Sequence, residues 1–407
     1  MSLFATTVAG RAARDNRFAP GRMVRSLAVA AAALLAASCV GGDTGAPIVA
    51  SPTAPGPKTP AGEVIGNGSV TVGLLLPLNS STGLGQAMKN AATLALAEFP
   101  QADIRILVKD DGGSDQGGRA AAQAAISEGA QAILGPVFAP AVVGAASVAR
   151  PAGVPIIAFS TDATVASRGV YLLSFLPQAD VERIVSFAGQ RGKRSFGALV
   201  PDNGYGLIVE AALREVAGRS GGRVVMVERY RADKSDLAAK AAAIGAAASQ
   251  MDALLVPEGA DGAPAIVAAL RQAGITAGRV QLLGSGQWED PRLARDAALA
   301  GAWYPAPDKA GFDAFAGRYS ARFGSAPPRV ASLAYDAATL AAGLVRAAGS
   351  TAFSEQVITN PNGFIGVNGL FRFTSNGLNQ RGLAVYEIGP SGARILSPAP
   401  RTFQAGS

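Results

Sequence analysis

From Ser69 onward, short apolar runs alternate with longer stretches of helical periodicity, and Gly and Pro punctuate the joins. Val70-Thr-Val-Gly-Leu-Leu-Leu-Pro77 reads as a buried strand, followed by a polar loop and a helix from about Gly85 to Phe99. Ile104 to Asp110 predicts the next strand. A helix through Gln123 and Ile126 closes at Gly129, placed as a helix-terminating glycine. Ala132-Ile-Leu-Gly-Pro136 predicts a third strand, with a helix ending near Arg150, and Val154 to Phe159 a fourth. Short strands alternating with helices pack as parallel sheets covered on both faces, an α/β doubly wound arrangement.

The pattern then repeats. Leu75-Leu-Pro77, a polar loop and a helix are echoed by Leu199-Val-Pro201, Asp202-Asn-Gly-Tyr-Gly206 and a helix. Ile133-Leu-Gly-Pro136 is echoed by Leu255-Val-Pro257, Glu258, Gly259 and a helix ending at Gly274. The two offsets agree within a few residues, which predicts two similar βα lobes. Proline directly after a strand turns the chain out of the sheet where a helix N-terminus opens toward a cleft. The alanine-rich stretch from Leu237 to Ala248 reads as a plain covering helix.

Ahead of this region lies a different kind of sequence. Arg11, Arg14, Arg17, Arg22 and Arg25 precede the apolar run Leu27 to Ser38, which ends at Cys39, the one cysteine of the chain. A basic segment, a short apolar run and small residues before a cysteine predict a lipoprotein signal over 1–38, cut so that Cys39 carries the lipid. Leu35 lies one place further from the cysteine than the commonest pattern has it, and Met23 would serve equally as a start. A plain secretory signal and a membrane helix are the alternatives; the apolar run, roughly a dozen residues, is short of the about 20 a bilayer needs. Residues 39–68 are rich in Gly, Pro, Ala and Thr and predict a flexible tether.

The signal changes the meaning of the charge. The formal net charge is +7 over 407 residues, but five Arg and only Asp15 fall in the first 38. What remains is close to balanced, and no basic cluster interleaved with aromatics appears, so no nucleic-acid partner is expected. The chain contains no histidine, which excludes Ser-His-Asp triads and imidazole-ligated zinc, and its cysteine is committed to the lipid. Gly189-Gln-Arg-Gly-Lys-Arg194 lacks the spacing of a phosphate loop. Asp110-Asp-Gly-Gly-Ser-Asp115 lacks the remaining calcium ligands and reads as a strand end running into a helix capped by Ser114. A paired-carboxylate glycosidase, using acids such as Glu258, Asp261, Glu289 and Asp290, is the one enzyme class left open. The expectation is a non-enzyme with no cofactor and no metal.

Several segments resemble a known group. Val72-Gly-Leu-Leu-Leu-Pro-Leu78 with Gly85 to Leu96, the segment Gly153 to Thr164, and Tyr335-Asp-Ala-Ala338 resemble type I periplasmic binding proteins, leucine-binding-protein-like. The resemblance implies two α/β lobes joined by a three-crossing hinge. The expected division is 69–190 and 304–350 for the first lobe, 191–303 and 351–403 for the second. It also implies ligand-facing positions at Ser80, Ser160, Thr164, Tyr205, Glu258 and Gln287.

Two subfamilies compete. Receptors of ABC transporters for leucine-class amino acids hold the ligand by first-lobe hydroxyls and amides, with an acidic residue and tyrosines from the second lobe. Here Ala139-Pro140 replaces the expected serine-rich turn, and Gly284-Ser-Gly-Gln-Trp288 stands where an acidic residue would pair with the ammonium. Leu283 to Pro291, Pro327 to Asp336 and Asn360 to Phe373 resemble the penicillin-binding-protein activator lipoproteins of Alphaproteobacteria. That resemblance implies a peptidoglycan synthase as partner. Aromatic anchors dominate such interfaces, which makes Trp288, Trp303 and Tyr304 the expected contact region. Val40 and Gly41 offer no acidic retention signal after Cys39, which predicts the inner leaflet of the outer membrane. Trp288 reads in two ways: a cleft aromatic gripping a ligand or partner, or a lid over the second lobe's core.

Overall fold

Strand β2 (Val70–Leu76) shows why the apolar runs are continuous. Val72, Leu74 and Leu76 face one core, Leu75 faces another, and all four are fully buried, so both faces of the sheet are covered. The computed structural model describes residues 63–276 and 278–403. Cys39, the signal segment and the tether as far as residue 62 lie outside the described residues.

The first lobe begins with β1 (Val64–Gly66), then β2, α1 (Leu84–Glu98), β3 (Ile104–Asp110), α2 (Asp115–Ser127), β4 (Ile133–Leu134), α3 (Ala139–Ala149), β5 (Ile156–Ala158) and β6 (Val170–Leu172). Ser114 caps α2 by accepting from the Gly117 amide at 3.1 Å. The second lobe holds α4 (Pro177–Gln190), β7 (Ser195–Pro201), α5 (Gly204–Arg219), β8 (Arg223–Tyr230), α6 (Leu237–Ala246), β9 (Ala253–Leu255), α7 (Ala263–Gln272), β10 (Gln281–Leu283) and β11 (Trp303–Ala306). The chain returns through α8 (Lys309–Phe323), α9 (Ala331–Ala348), α10 (Glu355–Ile358), β12 (Phe364–Gly366), β13 (Gly369–Phe373) and β14 (Asn379–Arg381). It ends on β15 (Ala384–Gly389) and β16 (Gly392–Ser397).

The first sheet runs β1-β3-β2-β4-β5-β6, parallel except for β1. The second runs β16-β15-β11-β10-β9-β7-β8, parallel from β8 to β11 and antiparallel beyond. In each sheet the strand order reverses once, between β2 and β4 and between β7 and β9, and crevices form outside the carboxyl ends at such points. α1 and α9 cover one face of the first sheet, and α2 and α3 the other. In the second lobe, α4 and α5 lie opposite α6 and α7.

The chain crosses between the cores three times, near Leu176, Pro307 and Gly382. These crossings move the expected boundaries. α4 packs Val181, Ile184 and Val185 into the second core, so that lobe starts well before 191. Tyr304 and Ala306 belong to the same lobe, past the expected end at 303. Phe371 and Phe373 pack into the first core, so the return to the second lobe begins after 381 and not at 351. The tether also ends earlier than 68: Val64–Gly66 pairs with the exposed edge of β3, and Ile65 is buried beneath it.

Candidate functional site

Three cavities among the described residues are large enough for a small molecule, and one of them, about 630 Å³, is lined mainly by small and apolar residues such as Leu84, Ala87 and Pro328. A groove of about 750 Å³ lies on the outer side of the first lobe, walled by Leu340, Leu344, Val357, Phe364 and Ile365. The third, about 660 Å³, opens between the lobes at the carboxyl ends of both sheets. Polar side chains from both lobes converge on the third, which is the strongest site.

The second lobe supplies Asp180, Tyr205, Gln287 and Glu289. Asp180 and Tyr205 stand in the first turns of α4 and α5, whose N-termini open toward the cleft. Pro177 begins α4, and Asn203 caps α5 by accepting from the Gly206 amide at 3.0 Å. A side chain at Gly206 would meet the Pro201 carbonyl at 1.9 Å, so the close seating of α5 on its strand needs glycine. The first lobe and the return segment supply Thr161, Phe175, Lys309, Phe312, Asp313 and Arg329.

Arg329 is held on several sides. Its Nε donates to Asn368 Oδ1 at 3.1 Å, its guanidinium lies 4.3 Å from the Phe312 ring centre, and its Nη1 pairs with Glu289 Oε2 at 2.8 Å across the cleft. Nη2 of Arg329 and Oε1 of Glu289 are buried and have no hydrogen-bond partner among the described residues. Burial raises the Glu289 carboxyl above its usual range, against the pull of Arg329 and Lys309. Behind the cavity, Arg381 donates through Nε to the Ser174 carbonyl at 2.8 Å and lies 4.8 Å from the Phe175 ring centre. Its burial pushes the guanidinium down to about 10.

Asp180 Oδ2 accepts from the Gly286 amide at 2.8 Å. It keeps some surface in the cavity, yet protein encloses it, and desolvation pushes its carboxyl up to about 7 against the help of Gly286 and Arg381. Burial likewise pushes the Tyr205 phenol up to about 12, with Ser285 and Gln287 facing its hydroxyl.

Of the six ligand positions implied by resemblance, Tyr205 and Gln287 line this cavity. The other four do not. Ser80 faces Thr82 at 3.2 Å, and the exposed Thr164 donates to Asp162 at 2.7 Å. Ser160 is buried and accepts from the Asp162 amide, while its neighbour Thr161 reaches the cavity. Glu258 accepts from the Tyr230 hydroxyl. Acidic groups nevertheless line the cavity, Asp180 on α4 and Glu289 one residue beyond 284–288. A carboxylate beside a strand-end turn is a usable signal for Glu289. Asp180 and Arg329 had no local signal, because the fold alone carries α4 and the turn before α9 to the cleft.

The aromatic contact region is corrected. Trp288 is fully buried in the second core, with Nε1 donating to the Glu258 carbonyl at 2.9 Å. Tyr304 is buried and stacks on Tyr386 at 5.3 Å, and Trp303 packs edge-on against Phe187 at 5.3 Å. Trp288 and Tyr304 therefore present no surface to a partner, and only the half-buried Trp303 keeps some. The four acids considered for glycoside chemistry are also engaged. Glu258 holds Tyr230, Glu289 holds Arg329, and Arg292 pairs with both Asp261 and Asp290, at 2.7 and 2.9 Å.

Known proteins agree with this geometry. The sequence profile of the periplasmic binding protein family matches residues 69–393. No curated protein matches the chain in sequence. Among solved structures, one from Rhodospirillum rubrum assigned to a branched-chain amino acid ABC transporter superposes with a TM-score of 0.72 at 19% identity, covering 80% of this chain and 99% of its own. The leucine binding protein LivK of Thermotoga maritima gives 0.58 at 19%, covering 81% and 98%. An ABC-transporter solute binding protein of Rhodopseudomonas palustris in complex with 3,4-dihydroxy benzoic acid gives 0.59 at 20%, covering 83% and 97%. At such identities the likeness speaks for the fold. With its two α/β lobes, strand-end cleft and profile match over most of its length, the chain belongs to the periplasmic binding protein family, with the type I fold.

Proposed function

We propose that this protein is the solute-binding receptor of an ABC transporter, facing the periplasm and anchored through Cys39. The observation that carries the reading is the interlobe cavity, where Asp180, Tyr205 and Glu289 of one lobe meet Phe175 and Arg329 of the other. A solute held between them would join the lobes, and a permease would read the joined form. The partners are then a small solute and a permease pair. The synthase-activator reading keeps the lipid signal and tether as its support, while two of its three contact aromatics, Trp288 and Tyr304, are buried.

The test is thermal unfolding of the protein lacking residues 1–39 against a panel of amino acids, aromatic acids and neutral solutes. Binding to the native state raises stability by mass action, about 2.7 kcal/mol at a hundredfold excess over Kd. At least one solute should raise the melting temperature, and Tyr205→Phe should reduce the shift. A panel without any shift, together with stimulation of a purified peptidoglycan synthase, would overturn the receptor reading.

A further inference from the structure

The pairing of Arg329 with Glu289 is incomplete in a specific way. A guanidinium fork and a carboxylate normally match through two parallel hydrogen bonds. Here a single contact, Nη1 to Oε2 at 2.8 Å, joins them, and Nη2 and Oε1 are buried with no partner among the described residues. A buried donor and a buried acceptor left unmade are costly, and a group or water entering the cavity that both residues line can complete them.

The surroundings fix which edge of Arg329 is available. Asn368 takes Nε, and the Phe312 ring holds the guanidinium plane from below at 4.3 Å. The outer edge, Nη1 with Nη2, is therefore the only edge left, and Glu289 fills half of it. Both residues line the interlobe cavity, and so does Lys309, whose charge acts on Glu289. Phe175, Phe312, Pro307 and Pro327 give the cavity an apolar wall, and Asp313, whose charge also acts on Glu289, lines it beside them.

We propose that Glu289 is a built-in stand-in for the carboxylate of the solute: a small organic acid with an apolar body takes the Nη1–Nη2 edge of Arg329, and Glu289 swings to Lys309. The proposal rests on the receptor reading and names its solute class. The exchange trades one ion pair for another without leaving a charge bare, since Lys309 receives the displaced carboxylate. The solute's carboxylate gains two contacts where Glu289 made one. Its apolar body displaces water from the aromatic and proline wall. No covalent step is involved.

The test uses matched pairs that differ only in the carboxylate: leucine with leucinamide, and benzoate with benzamide, titrated calorimetrically into the protein lacking residues 1–39. The acid of at least one pair should bind at least about tenfold tighter than its amide. Glu289→Gln removes the internal competitor and should tighten that acid by roughly tenfold, whereas Arg329→Gln should weaken it by at least as much. Should Arg329→Gln fail to fold, as judged by circular dichroism, Glu289→Gln alone decides. Equal binding of acid and amide, or weaker acid binding in Glu289→Gln, overturns the exchange. A neutral solute bound equally by the wild type and Arg329→Gln overturns the exchange and leaves the receptor reading standing. Absence of binding by any solute of the wider panel overturns both.

Discussion

Asp180 illustrates how far a single residue's chemistry can depart from its type. In the sequence it is one acid in the first turn of a helix, a common place for one. In the folded protein it is enclosed, accepts from Gly286, faces Glu289 and Arg381, and has its carboxyl pushed up to about 7 from an ordinary 3.8. Between those two values the native state holds a proton that the unfolded chain has lost. Stability is therefore fully present below about 3.8 and falls as pH rises through about 7, by at most about 1.4 kcal/mol per pH unit. Denaturant unfolding should show the wild type more stable at pH 5 than at pH 8. Asp180→Asn, which keeps an oxygen for the Gly286 amide, should flatten most of that slope. Asp111, raised to about 6 by burial, and Glu289, raised in the same direction, leave a remainder of the same sign. An unchanged slope in Asp180→Asn would show that this carboxyl titrates normally.

At the scale of elements, the turn after β10 is the most instructive. Gly284 to Trp288 reads in sequence as a cleft loop, and it is one: Gly286 and Gln287 line the cavity. The same turn drives Trp288 the other way, into the second core among Leu293, Leu299 and Tyr304. A side chain at Gly284 would lie 2.1 Å from that indole, so the glycine makes room for the plug. Trp288→Ala should destabilise the protein by about 3–5 kcal/mol, the usual cost of hollowing out a buried aromatic. Urea unfolding would measure it, and a loss below about 1 kcal/mol would return Trp288 to the surface as a partner contact. Strand periodicity and helix-stopping glycines made the elements from β2 to β5 readable in advance. β1 was not readable, because three residues at the end of a polar segment become a strand only when the edge of β3 offers them a partner.

For the whole molecule, the repeat of strand, proline, loop and helix announced two lobes, and the cores bear that out. The points of crossing were not legible. α4 follows the first sheet without a break in pattern, yet its apolar face fits the second core, and β12 to β14 fold back onto the first. Where the molecule sits in the envelope turns on Cys39. Metabolic labelling with a clickable palmitate analogue should tag the wild type and lose the tag in Cys39→Ala. Equal labelling of the two would rule out Cys39 as the lipidated residue.

Resemblance to a family supplied two cavity residues, Tyr205 and Gln287, while the sequence by itself determined the fold class, the duplicated lobe and the absence of histidine chemistry. These last are properties of local pattern and composition, written in spacings of a few residues. Tertiary structure alone decided that Arg329 meets Glu289, that Asp180 faces the cleft, and that Trp288 and Tyr304 turn inward. Each of those depends on chain segments far apart in sequence and brought together by the hinge. Such a meeting is set by which surfaces the lobes bury against each other, and no local spacing encodes it.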